Sequence, residues 1–529
     1  MKPNRIPGLA LVLLLAPLAG VAQYTPTPTP APAPPSPSST APAQGVITLD
    51  EAIRLALEQN LDLAIERMNP ERAATNILAA RAAFDPRFNL ASRYSENSTP
   101  RSSEQQAADG FPSFESRTFN ASTGVTQPTI LGTEVGLAAN TTNRMNTSNN
   151  FEDEYTAFAG ATLRHPLLKN AGPTANRAQF RIATKGKEQS DATFLNRIDQ
   201  LVAEVHRAYY EWIFSLDDLR SKEKTLLLAE RLQKDNQGRL DNGIMTPLDV
   251  AQARSETALR RSDVIQAQLS VDQNLNRLRR LISRDLATSL AQPLEPGETL
   301  PAPEALSPSF VDLGLALQNR KDYLALQRQA EADGLRLEFT KNQLLPQVDL
   351  EGSYGFNGLD RDLVQSFNRV ADTRDPGWFV GLSVEIPWGS QAEKARHQDA
   401  QLVRQQTLLR LKNTEQQILL EVDNAAKTVE SAWKKYESNL VASTISEQSA
   451  IAEEEKLKAG ISTSYTVLQL QRDAASARTQ ELRALTDYHL ALVNLRLAQG
   501  ILTPLSGVRV EKTPSASEAV SPTGPTSTP

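Results

Sequence analysis

The chain has 529 residues, 40% of them hydrophobic but only 5% aromatic, a formal net charge of −6 and no cysteine. The charge excludes a general nucleic-acid binder, and the missing thiols exclude disulfides, thiolate metal sites, a cysteine nucleophile and a lipid anchor on an N-terminal cysteine. Plentiful Ala, Gln, Leu and Arg point to long helices rather than to an aromatic-rich catalytic core.

Residues 1–22 read as a secretory signal: Lys2 and Arg5, the apolar run Leu9–Ala16, and the small residues Gly20-Val21-Ala22 before Gln23. The run is too short for a membrane-spanning helix, and no later stretch is long and apolar enough to be one. A mature chain that crosses a membrane must therefore do so with strands. Residues 23–45 form a Pro-rich, disordered tether, and residues 506–529 a disordered tail. Order is predicted to begin at Thr48, an N-cap with Glu51 three residues on, the spacing of a capping box. The face Leu49, Ile53, Ala56/Leu57 predicts a helix broken at Asn60, and a second helix runs to about Ala83 before Asp85-Pro86.

The period then changes from helical to alternating over about 86–166. Phe88, Leu90 and Tyr94 alternate with polar residues, as do Phe119, Ala121, Thr123 and Val125. Val135 and Leu137 mark a third strand and Tyr155–Leu163 a fourth, with Ser95–Gly110 and Asn140–Glu154 as loops. A helical hairpin is predicted over about 174–289, with the stripe Leu201, Val205, Ala208, Trp212, Leu216, Leu219 and a tip near Gly243. The prolines of Gln292–Ser309 form a linker.

From 301 to 505 the pattern repeats. Leu315, Asp322, Pro346, Leu350 and Tyr354 match Leu55, Asp62, Pro86, Leu90 and Tyr94 at one offset of 260. Strands are predicted over about 346–388, where Val348, Leu350, Tyr354 and Phe356, then Trp378, Val380, Leu382 and Val384, alternate with mostly polar or small residues. A hairpin over about 390–499 carries the stripe Ile418, Val422, Ala425, Val429, Trp433, Tyr436, Leu440 and a tip near Gly460. The offset shrinks to 221 at Pro166 and Pro387, placing 39 extra residues in the first strand region. It shrinks to 217 at the tip glycines, which predicts a first long helix one turn longer than the second.

In order, the segments ITLDEAIRLALEQNLDLA (47–64), HPLLKNAGPTANR (165–177), RLDNGIMTPLDVAQAR (239–254), NQLLPQVDLEGSY (342–354) and KLKAGISTSYTVLQLQR (456–472) resemble the TolC-like outer membrane efflux protein (outer membrane factor) family over about residues 46–504. The resemblance implies an α+β membrane protein, duplicated internally and assembled as a homotrimer. About four strands per subunit would build an outer-membrane β-barrel, continued by a long α-helical coiled-coil barrel in the periplasm of a Gram-negative bacterium. It implies a passive exit duct of a tripartite efflux or type I secretion system. Its partners would be a periplasmic adaptor, an inner-membrane pump of RND or ABC type reached through that adaptor, and outer membrane lipid.

The tips Asn242, Gly243, Ile244 and Ala459, Gly460, Ile461 would meet the adaptor, and Asp249, Thr466 and Gln469 fall at gate positions. The type member carries acids where Thr466 and Gln469 stand, so a gate here is expected to be less acidic. Read without the resemblance, Asp249 is a solvated acid at a helix N-terminus. No cofactor is expected: the four histidines share no ligand spacing and no phosphate-binding loop is present, so an enzyme is not indicated. Trp212, Trp433 and Tyr436 read as packing residues, while Trp378 and Trp388 bracket a strand as a membrane-interface belt would. The competing reading is a secreted coiled-coil scaffold without a channel, which has no need of two-faced strands.

Overall fold

The computed structural model describes residues 45–505, apart from 244, 302 and 304–312. The predicted signal, nearly all of the tether, the tail and tip residue Ile244 lie outside the described residues. The described residues from Ile47 onward cluster as one unit.

Helix α1 (Leu49–Gln59) starts where the sequence placed it, with the Thr48 hydroxyl accepting the Glu51 N–H at 3.3 Å. The reciprocal half of the capping box is replaced by an ion pair of Glu51 with Arg54 at 3.7 Å. Asn60 ends α1 and caps α2 (Leu61–Arg81), its side chain accepting from Leu63 N–H at 2.9 Å and donating to the Leu281 carbonyl at 3.1 Å.

Six antiparallel strands follow in one sheet, in sequence order: β1 (Arg87–Pro100), β2 (Ser113–Pro128), β3 (Glu134–Asn146) and β4 (Tyr155–Pro166) from the first half, β5 (Gln347–Asp360) and β6 (Pro376–Glu385) from the second. The expected four strands per chain are thus corrected to six. The surplus residues of the first half build a further hairpin, each of whose strands has its own alternating face. The strands also run into the predicted loops: Ser95↔Thr118 and Asn143↔Tyr155 are still in register. Backbone pairing needs no apolar side chains, so the ladder continues where alternation fades. Helix α3 (Ser103–Asp109) spans the β1–β2 connection and α8 (Leu363–Ala371) the β5–β6 connection.

Helix α4 (Ala178–Asp241) has 64 residues, about 96 Å at 1.5 Å per residue, and returns as α5 (Pro247–Ile282). In the second half α6 (Leu313–Asn319) and α7 (Lys321–Asn342) precede the strands; α9 (Gln391–Lys458) and α10 (Ser464–Ala498) make the second hairpin. The predicted extra turn in the first long helix is wrong: α9 has 68 residues and α4 has 64. The surplus goes into the connector after Pro166, where the short helix Gly172–Asn176 and a break at Arg177 delay the start of α4. Helix α5 also stops short of the expected Ser289, capped at Ser283, which is extended at φ −121°.

The core lies where α1, α4, α5 and α10 meet, around Leu201, Val205, Tyr209, Trp212, Leu278 and Ile53. Of the second stripe, Ile418, Val422 and Val429 are buried and Leu440 is exposed. On α4, next to core residue Val205, sits His206, 7% exposed, with neither ring nitrogen hydrogen-bonded. Tyr210 lies 5.8 Å from its ring, His489 lies 5.7 Å from Tyr210, and the Arg496 charge acts on His206. Burial first, then that cation, depresses the His206 pKa to about 4. Burial depresses His489 too, against the Pro301 carbonyl that accepts from it.

A depressed folded-state pKa means that the unfolded chain takes up the proton first. The His206 contribution is therefore intact above about pH 6.5 and is lost as the pH falls from 6.5 towards 4, reaching about 3 kcal/mol. His206→Phe has no hydrogen bond to lose and is expected to flatten that acid limb. Urea midpoints of the detergent-solubilised protein between pH 4 and 7.5 measure this; an unchanged limb removes His206 as its source.

Candidate functional site

Two features of the chain look outward. One is the sheet. Cross-strand partners share a face, and one face reads Phe88–Val125–Leu137–Ala161–Tyr354–Trp378 straight across six strands. Leu90, Leu163, Leu350, Val380 and Leu382 extend it, and its large side chains stand bare, Leu90 at 71% and Trp378 at 73% exposed. The opposite face carries Asn89, Asn120, Thr142, Thr162, Ser353 and Ser383, and an ion pair of Arg164 with Asp349 at 2.7 Å. A bare apolar patch of this breadth is a binding surface or a lipid surface. Alternation of apolar and polar over strands of 10 to 16 residues is the pattern of a transmembrane β-barrel wall.

The outer end of the apolar face changes character. Helix α8 packs on it over β4 and β5, with Ser366 and Val370 buried and their backbone close over Gly358. Ion pairs Arg369–Asp360 (2.9 Å) and Arg361–Glu152 (3.0 Å) then form a polar rim. At the other end Trp388 is fully exposed beyond β6. Both tryptophans assigned to a belt are thus bare, whereas Trp212 is buried and Trp433 packs on Tyr488 at 5.5 Å and Tyr436 at 6.2 Å.

The second feature is the pair of tips. Helix α4 ends at Asn242, whose side-chain amide donates to the Gly238 carbonyl at 2.8 Å, and Gly243 takes φ +75° while its N–H bonds to Leu240 O at 2.9 Å. Helix α9 ends at Ala459; Gly460 takes φ +79°, and Ile461 N–H returns to Lys456 O at 3.0 Å. A Cβ at either glycine would meet nothing within 4 Å. The requirement for glycine there is therefore conformational and not spatial. Ile461 is exposed.

Asp249 is the third residue of α5, and its carboxylate accepts from Thr246 N–H at 3.1 Å and Thr246 Oγ1 at 2.6 Å, while its own N–H bonds back to Thr246 Oγ1 at 3.3 Å. Thr466 takes the same place behind Thr463, 3.0 Å hydroxyl to hydroxyl, and Gln469 is exposed one turn on. The three gate candidates thus lie at the starts of the two return helices, with Asp249 and Thr466 engaged in capping.

The tips touch each other. Leu232, Leu457, Val467 and Leu468 form a small buried cluster, and Ser464 Oγ donates to Asn236 Oδ1 at 3.2 Å. A clasp closes the second tip: Glu453 receives the Ser462 hydroxyl and pairs with Lys456 at 2.9 Å, holding its carboxylate below the usual range. Above the tips a groove of about 700 Å³ opens between the hairpins, lined by Arg220, Lys224, Glu256, Arg260, Glu447 and Arg478 among others. Asp249 was placed at a helix N-terminus from sequence while its bonds to Thr246 were missed, although the Thr-x-x-Asp spacing was the available signal; the Asn236–Ser464 link, 228 residues apart, had no local signal.

A model of the outer membrane efflux protein family matches residues 52–284 and 313–500. Two curated relatives from Pseudomonas putida, a probable efflux pump outer membrane protein, TtgC, and an antibiotic efflux pump outer membrane protein, ArpC, are each 25% identical over 283 residues. Those residues are 53% of this chain and 56% of each relative, so the chain spans about half the length of the curated relatives it matches. Among solved structures, the outer-membrane channel OprN superposes with a TM-score of 0.65 at 18% identity, covering 85% of this chain and 89% of that one. The CmeC outer membrane channel of Campylobacter jejuni gives 0.64 at 15% identity, covering 86% of each chain.

Proposed function

Because the chain belongs to the outer membrane efflux protein family, we propose that it is the outer-membrane exit duct of a tripartite efflux system, passing small molecules outward without chemistry of its own. It resides in the outer membrane of a Gram-negative bacterium, with its helical hairpins in the periplasm. Three copies of an internally duplicated chain share their strands in one barrel and their hairpins in one helical tunnel. The observation that carries this reading is the six-stranded sheet with one bare apolar face and one polar face, on the same chain as two hairpins of very long helices. A coiled-coil scaffold in water has no use for the exposed face. Neither an open sheet edge nor a one-striped hairpin is stable alone in its solvent, so copies must supply the missing neighbours.

The described tip residues Asn242, Gly243, Ala459, Gly460 and Ile461 form the mouth that meets a periplasmic adaptor, and through it an inner-membrane pump of RND or ABC type. Purified protein in a planar lipid bilayer should give discrete conductance steps and run on gels as a heat-sensitive trimer. A soluble periplasmic pool without conductance overturns the reading. An adaptor gene beside an ATP-driven transporter would favour polypeptide export by the same duct.

Asp249, Thr466 and Gln469 stand at the gate positions, and the capping geometry weakens the case for Asp249 as a gate charge. Asp249→Ala removes the reciprocal bond to the Thr246 cap and an acid from the first helical turn; it is expected to cost about 0.3–1 kcal/mol of local helix stability and to leave conductance and drug sensitivity unchanged. A change in conductance without loss of stability would restore its gate role.

A further inference from the structure

The sheet ends in two open edges, β1 with 14 residues and β6 with 10. Both edge strands carry the apolar face outward: Phe88, Leu90 and Tyr94 on β1, Trp378, Val380 and Leu382 on β6, all exposed. The β1–β2 hairpin is therefore not a solvated loop set apart from the wall. Its Phe119 and Val125 continue the same bare surface, and β2 holds β3 over the whole stretch from Ser116↔Asn146 to Pro128↔Glu134. The β3 edge is thereby occupied and cannot accept a neighbour.

Six antiparallel strands is an even number, so β1 and β6 run in opposite directions. Set edge to edge, β6 of one copy and β1 of the next continue the antiparallel order without a break. In a bilayer both edges need that partner, because their unpaired N–H and C=O groups find no water.

We infer that β6 of each copy pairs with β1 of a second copy of this chain, so that the wall has six strands per copy and a three-copy ring closes as an eighteen-stranded barrel. The inference rests on the three-copy channel proposed above. Barrel diameter grows roughly linearly with strand number, so this lumen is about 1.5-fold wider than the four-strand-per-copy wall expected from the resemblance, within the range that leaves an open aqueous channel. The outer-membrane stage would then admit solutes wider than a twelve-stranded wall passes.

The absence of cysteine makes the test direct. Val380→Cys is combined in turn with Phe88→Cys, Leu90→Cys or Tyr94→Cys, and separately with Val135→Cys or Leu137→Cys on β3. The full-length protein is oxidised in outer membranes. Within one chain β1 and β6 lie five strand spacings apart, about 24 Å, so any disulfide between them joins two copies. The expected result is covalent trimers from at least one β6–β1 pair and none from β6–β3 pairs. Links from β6 to β3, or an intact trimer with no β6–β1 link, overturn the inference. Loss of the trimer and of conductance in the unsubstituted protein fails the channel reading itself. Neutral polymers added from the outer side give a second readout, expected to enter at about 1.5 times the radius a twelve-stranded wall admits; exclusion at the narrower limit overturns the inference.

Discussion

Gly160→Val is expected to abolish the assembled channel while Gly352→Ala leaves it intact, as read by the heat-sensitive oligomer in outer membranes and by bilayer conductance. Gly160 and Gly355 face each other across β4 and β5, the strand pair that joins the first-half strands to the second-half strands. A Cβ at 160 would sit 2.5 Å from the Tyr354 carbonyl oxygen and 2.7 Å from Gly355 Cα; one at 355 would sit 2.5 Å from the Ala159 carbonyl oxygen. These are backbone atoms of the ladder itself, so relief means parting the strands. The Phe158 ring closes over both positions, its Cζ within 2.7 Å of either added carbon, and leaves no sideways escape. Overpacking in an ordinary core costs about 1–3 kcal/mol, and backbone contacts this short belong at or beyond the upper end. At Gly352 the nearest atom is 3.4 Å away, so a methyl group fits. An assembled, conducting Gly160→Val protein would show that the β4–β5 seam is looser than its geometry.

The sequence showed this seam only in outline. Alternation at Tyr155–Leu163 and Val348–Phe356 identified both strands, because a half-buried or lipid-facing strand must repeat every two residues. It gave no hint that two glycines oppose each other, since register between segments nearly 200 residues apart leaves no local trace. The tips were readable for a different reason. A left-handed residue after a long helix favours glycine, and Gly243 and Gly460 announced it directly. The expected extra turn in the first long helix failed because matching Pro166 to Pro387 fixes where the strands end, not where the helices begin. The break at Arg177 has no proline or glycine at the break itself, so nothing local in the sequence marks it. Strand number failed where a family pattern was set above the residues: four alternating segments in the first half already indicated four strands.

The sheet also explains why the largest stability effects should lie elsewhere. A wall one side chain thick has little interior, so the cooperative core belongs to the helices below it. Trp212→Ala is accordingly expected to lower the unfolding free energy by about 3–5 kcal/mol, the range for emptying a buried tryptophan site. Trp212 is 1% exposed, packs edge-on against Tyr209 at 6.0 Å, and lies where α1, α4, α5 and α10 converge. Tyr209 in turn donates its hydroxyl to the Ile47 carbonyl at 3.1 Å, so the vacated volume would loosen the start of the ordered chain as well. The indole Nε1 has no hydrogen-bond partner, so Trp212→Phe loses only volume and should cost distinctly less than the alanine change. Trp388→Ala, on a fully exposed ring, should fall within about 0.5 kcal/mol of the parent in detergent. Urea titrations followed by helical circular dichroism separate the three. Equal losses from Trp212→Ala and Trp388→Ala would mean that this helical junction is not the stabilising core.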